Sequence, residues 1–100
     1  ERLVVGMLLS NEPGYYKEGE WGIRIENLII INPPDDAGFL SFETVTHCPI
    51  DKRLVVITML NEAERAWLDA YHSQVEALLL PLLDGDKAVQ DWLRQACAPL

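Results

Sequence analysis

At 100 residues the chain can form one small domain but not two, and 49% hydrophobic with 24% charged residues is a globular composition rather than a disordered one. The formal net charge of −8 comes with no Lys/Arg cluster longer than Lys52-Arg53, which excludes the concentrated positive field that nucleic acid or an anionic membrane demands of a partner. Pro81 breaks the longest Leu-rich run before it reaches membrane-spanning length, so no membrane partner is expected.

Residues 3–10 are rich in Val and Leu and predict a strand that stops at the turn signal Glu12-Pro13-Gly14. Lys17-Glu18-Gly19-Glu20 reads as a polar hairpin connection, followed by a second strand over 21–32. Pro33-Pro34-Asp35-Asp36-Ala37-Gly38 cannot continue that strand and reads as a loop. A third strand is predicted over 39–48, with Phe42, Thr44, Val45 and Thr46 supplying aromatic and β-branched residues, and Pro49 ends it.

From Asn61 the apolar spacing changes to that of a helix. Asn61 and Glu64 form a capping-box pair, and Trp67, Tyr71, Val75, Leu78 and Leu82 recur along one face. Pro81 should end or kink this helix, and Asp84-Gly85-Asp86 marks a break before a shorter helix at about 87–97. Strands over about 3–48 and helices over about 61–97 give an α+β class in a single domain spanning 1–100.

The chemistry concentrates in the first half. Glu12 ends an apolar run and Glu26 lies inside another, and a carboxylate in such a setting needs a hydrogen bond, a base or a metal. Residues two apart in a strand share a face, so Arg24 and Glu26 project together while Ile23 and Ile25 project oppositely. An ordinary salt bridge from Arg24 to Glu12 or Glu26 accounts for these three residues. Convergence of the two carboxylates on a hard divalent cation such as Mn²⁺ or Mg²⁺ is the alternative, although spacing alone favours the salt bridge. His47 and Cys48, adjacent on a predicted strand, would point to opposite faces and cannot form a nucleophile–base pair. Cys48 and Cys97 lack CxxC spacing, so two free thiols are expected rather than a disulfide framework.

Four stretches carry a resemblance: Ser10-Asn11-Glu12-Pro13-Gly14-Tyr15-Tyr16, Gly22-Ile23-Arg24-Ile25-Glu26-Asn27, Phe42-Glu43-Thr44-Val45-Thr46-His47-Cys48-Pro49-Ile50-Asp51, and Glu64-Arg65-Ala66-Trp67-Leu68-Asp69-Ala70-Tyr71-His72. In this order they resemble the C-terminal part of the pita-bread metallopeptidases, and within them the Xaa-Pro aminopeptidases (aminopeptidase P). The resemblance implies a two-metal hydrolase that cleaves the N-terminal Xaa-Pro bond of a peptide with proline second. Glu12 and Glu26 would be metal ligands and Arg24 and Tyr16 catalytic residues, although a merely structural role for Arg24 and core packing for Tyr16 also stand. The cofactor implied is a pair of divalent ions, taken as Mn²⁺. The family's two aspartates and metal-binding histidine have no counterparts here and would lie upstream of Glu1, because neither His47 nor His72 matches a ligand position. The chain is therefore expected to be an incomplete site, inactive alone, from a cytoplasmic enzyme. Self-association as a homodimer is also expected, with Trp92 and Leu93 as the surface. Prolidases and related pita-bread hydrolases, or a non-catalytic pita-bread binding module, are the alternatives.

Overall fold

Pro13 and a handful of glycines set the course of the first half. The computed structural model describes residues 2–100, which divide into a strand unit ending at Thr46 and a helical unit beginning at His47. In the strand unit, β1 (Leu8–Asn11) pairs antiparallel with β4 (Asn27–Ile31), from Leu8 opposite Ile30 to Asn11 opposite Asn27. Next along the chain, β2 (Gly14–Lys17) pairs with β3 (Trp21–Arg24), from Gly14 opposite Arg24 to Lys17 opposite Trp21. The two ladders keep one register, so together they form a single long hairpin, open only where Glu12-Pro13 faces Ile25-Glu26. Proline explains the opening: Pro13 has no N–H to donate, and its carbonyl alone keeps contact by accepting the Ile25 N–H at 3.2 Å. At the tip, Gly19 takes a φ of +71° and the Glu20 N–H closes the turn on the Lys17 carbonyl. On the far side of β4 lies β5 (Phe42–Thr44), making the three-stranded order β1-β4-β5. Ile31 of the central strand is buried to 1% exposure.

The strands are shorter than the sequence predicts, and each shortening has an identifiable cause. The first begins at Leu8 because Gly6, at φ +84°, turns the preceding residues, with the Met7 N–H bonded to the Val4 carbonyl. The stretch 21–32 is divided at Ile25-Glu26 by Pro13 across the hairpin. The third ends at Thr44, and His47 is not on a strand. Beyond it, backbone groups are drawn to a helix: the Cys48 N–H and C=O bond the Tyr71 hydroxyl, and the Ile50 N–H bonds His72 Nε2.

The helical unit has α1 (Glu62–Leu79) and α2 (Lys87–Cys97), joined through a 3₁₀ turn at Leu80–Leu82 that contains Pro81. The capping box is complete: the Asn61 side chain accepts the Glu64 N–H and the Glu64 carboxylate accepts the Asn61 N–H, both at 2.9 Å. Asn61→Ala removes half of that reciprocal pair and is expected to destabilise the helical unit by about 1 kcal/mol. An unchanged thermal midpoint would deny the cap that role. At the second helix the Asp86 side chain caps the Val89 N–H at 3.1 Å.

The buried stripe of α1 is rotated from the predicted face. Leu68, Tyr71, His72 and Val75 are buried, whereas Trp67, Leu78 and Leu82 are exposed. Leu93 and Cys97 of α2 complete the core with them. Leu93 therefore cannot serve as association surface, and only its neighbour Trp92, 58% exposed, stays available.

Candidate active site

Each of the four sequence-nominated side chains lies at or beside the opening of the hairpin. Glu12 and Glu26 lie in it, opposite each other in the shared register, and Arg24 stands two residues before Glu26. The Arg24 guanidinium reaches both carboxylates, Nη1 to Glu12 Oε2 and Nε to Glu26 Oε2, each at 3.5 Å. All three side chains are about half exposed, at 47%, 49% and 43% for Arg24, Glu12 and Glu26. Contacts that long and that wet are worth little to stability, roughly 0–1 kcal/mol, so the trio is not held together by its own energy. The hairpin register brings it together.

The same register places Tyr16. Gly14, Tyr16, Gly22 and Arg24 alternate onto one face of the β2–β3 ladder, while Tyr15, Lys17, Trp21 and Ile23 occupy the other. The Tyr16 ring lies across the two glycines: a Cβ at Gly14 would fall 2.7 Å from its hydroxyl oxygen, and one at Gly22 would fall 2.5 Å from its Cδ1. The glycines therefore leave the space that lets the ring lie down beside Arg24. Tyr15 turns to the opposite face and meets Trp21, with ring centroids 5.3 Å apart.

Two carboxylates aimed at one opening are a suitable donor set for a hard divalent cation, which prefers oxygen ligands. They are only part of one, because no group of three or more His, Cys, Asp or Glu able to hold a metal occurs among the described residues. The histidines do not fill the gap. His72 is completely buried in the helical unit, where burial first and then Lys52 lower its proton affinity below that of an ordinary imidazole. Cys97 is likewise a core residue, its thiol pushed up chiefly by burial, and Cys48 is exposed with its Sγ turned toward the Pro49 carbonyl. In the same motif as Cys48, the Arg53 side chain beside Asp51 lowers that carboxyl to about 2 in an exposed surface pair.

Comparison with known proteins settles the lineage. Residues 38–100 match the C-terminal region of peptidase_M24, and residues 1–33 match metallopeptidase family M24. This chain belongs to the M24 metallopeptidases, as a C-terminal portion of the pita-bread fold. It is 48% identical to a probable Xaa-Pro aminopeptidase P of Laccaria bicolor over 98% of its own length and 16% of that protein's. It is 42% identical to aminopeptidase P1 of Lotus japonicus, with the same coverage of 98% and 16%. The crystal structure of the X-prolyl aminopeptidase of Caenorhabditis elegans, a cytosolic enzyme with a di-nuclear active site, superposes with a TM-score of 0.86 at 32% identity, over 98% of this chain and 17% of that one. The chain thus spans about 16% of the length of these curated relatives. The family likeness agrees with the strand-then-helix order of the fold, antiparallel strands followed by two C-terminal helices.

Proposed function

We propose that this chain is the C-terminal part of a single catalytic domain in an Xaa-Pro aminopeptidase, and that Glu12 and Glu26 supply two of the carboxylates of its two-metal site. The observation that carries the reading is the pairing of both glutamates with one arginine across the opening of a single hairpin. A surface salt bridge needs only one carboxylate. The apolar side chains left open on the strand unit, among them Val4, Leu8, Trp21 and Phe42, each more than half exposed, also favour a sheet that is completed by further residues of a longer protein.

When bound, a pair of divalent cations, taken as Mn²⁺, supplies Lewis-acid polarisation of the scissile carbonyl and makes a water nucleophilic near neutral pH. The residues present have separate tasks. Glu12 and Glu26 would hold the cations from opposite sides of the hairpin. Arg24, within 3.5 Å of both carboxylates once the register has brought them together, would be a positioning residue in this arrangement, as two hydrogen-bonding edges of a guanidinium allow. Tyr16, with its ring over Gly14 and Gly22, presents its hydroxyl on the same face for a substrate group. The substrate is a peptide with proline second, and the enzyme works in the cytoplasm like its C. elegans relative. Trp92 lines a cleft of the helical unit with Ile50, Arg53 and Gln95, and it is the surface we assign to a second copy in a homodimer.

Mn²⁺ titration by calorimetry, first into this chain and then into a complete enzyme containing it, tests the reading alongside hydrolysis of Xaa-Pro-Xaa peptides and Xaa-Pro dipeptides. Weak binding by the chain, with two-metal binding and tripeptide cleavage by the complete enzyme, is expected. Exclusive cleavage of dipeptides would make it a prolidase. A complete protein that binds no metal and cleaves neither substrate would be a non-catalytic pita-bread module.

A further inference from the structure

Two adjacent side chains of α1 grip the backbone that leads into the helical unit. The Tyr71 hydroxyl donates to the Cys48 carbonyl at 3.0 Å and accepts the Cys48 N–H at 3.3 Å, and His72 Nε2 accepts the Ile50 N–H at 3.0 Å. Between these two residues sits Pro49, which has no N–H for a ladder. His72 has no exposed surface. A ring nitrogen that accepts a hydrogen bond carries no proton, so the neutral imidazole bears its hydrogen on Nδ1, which is itself buried without a hydrogen-bond partner. A second proton has only Nε2 to go to, and there it meets the Ile50 N–H head on. Imidazolium at position 72 and the bond from Ile50 exclude each other.

We propose that His72 is an acid-released latch: a proton on Nε2 detaches Ile50, so the segment Cys48–Ile50 is held to α1 at neutral pH and let go in acid.

The groups around the ring set when this happens. Lys52, in the turn after the latched segment, opposes a second proton, and its ammonium is tied to the Ala98 carbonyl. Asp69, one turn earlier on α1, favours a second proton, but its carboxylate already accepts the Leu100 N–H at 2.9 Å. The Tyr71 ring lies 5.9 Å away, and Cys97 of α2 shares the core with a thiol that burial and then Glu76 push up, so it adds no charge as the pH falls. Burial is the largest influence and lowers the imidazole's proton affinity from its ordinary value of 6.5. The folded value lies below the unfolded one, so the latch is fully closed above 6.5 and its contribution is lost as the pH falls from there toward the folded value. Over that interval the opening equilibrium rises by up to about tenfold per pH unit.

The test uses ¹⁵N-labelled chain, with ring-nitrogen spectra of His72 and amide-exchange protection at Ile50 followed from neutral to acid pH. We expect the Nδ1–H form at neutral pH, and Ile50 protection that falls by up to about tenfold per pH unit below the ordinary histidine range while amides around Val75 keep theirs. His72→Gln offers the Ile50 N–H an amide oxygen that does not titrate, and should make that protection independent of pH. An Nε2–H form at neutral pH, flat protection in the unsubstituted chain, a uniform loss across α1, or the same fall in His72→Gln would each overturn the latch. Should His72→Gln not fold, the ring spectra and the Ile50 profile of the unsubstituted chain decide the matter.

Discussion

Glu26→Gln, made in a complete enzyme containing this chain, is expected to weaken binding of the paired cations by more than ~100-fold and to take Xaa-Pro cleavage down with it, since even groups that merely support a metal ligand are worth 10–100-fold. Glutamine keeps the length of the side chain and one acceptor oxygen but removes the charge that a hard cation requires. The fold should hardly notice. Arg24 would lose one contact of 3.5 Å to a half-exposed carboxylate, a loss of less than about 1 kcal/mol, and would keep Glu12. This contrast separates the two explanations of the cluster. If Glu26 serves only to pair with Arg24, the substitution leaves metal content and cleavage intact and shifts the melting temperature slightly. If Glu26 is a ligand, metal content per protomer after dialysis drops while the melting curve of the metal-free protein stays in place.

Short-range signals were legible where a single residue decides a local geometry. Asn61 with Glu64 located the start of α1, Pro81 its end, and Gly85 followed by Asp86 the break before α2. The loop after the second strand was equally plain, and in it Asp35 takes the N–H groups of Ala37 and Phe39, both at 2.9 Å. Effects that act across the chain were not legible. Pro13 ends a strand in its own neighbourhood, but it also opens the ladder at Ile25-Glu26, twelve residues away, and only the register tells which residues face it. The end of the third strand was misplaced for a similar reason. Nothing near His47 indicates that Tyr71 and His72 will claim the backbone of Cys48 and Ile50. The buried face of α1 was misjudged by one position because Trp67 looked like a core residue. Its ring instead stacks on Tyr71, with centroids 5.6 Å apart, and stays half exposed, while Leu68 goes inward. For the candidate site, residue types and the family motif singled out Glu12, Arg24, Glu26 and Tyr16. Their common face, and the service of Gly14 and Gly22 as the floor beneath Tyr16, came only with the pairing.

Adjacent positions of α2 should respond to truncation in opposite ways, and the larger response belongs to Leu93. With 1% of its surface exposed, Leu93 packs in the cluster of Leu68, Tyr71, Val75 and Cys97 that forms the core of the helical unit. Leu93→Ala removes three buried carbons and leaves a cavity whose walls belong to two helices, a change that typically destabilises by about 2–5 kcal/mol. A small core rarely supplies more than about 3–5 kcal/mol in total, so this one substitution should remove most of the stability of the unit. In a urea titration followed by far-UV circular dichroism, the helical transition should move to much lower denaturant or be absent from the start. Trp92→Ala, one residue earlier and 58% exposed, should move the midpoint by no more than about 0.5 kcal/mol. If Trp92 meets a second copy, its loss would appear in the sedimentation of the complete enzyme instead of in the folding of the helices. Equal effects of the two truncations would mean that α2 does not face α1 through Leu93, and the arrangement of the core would have to be redrawn.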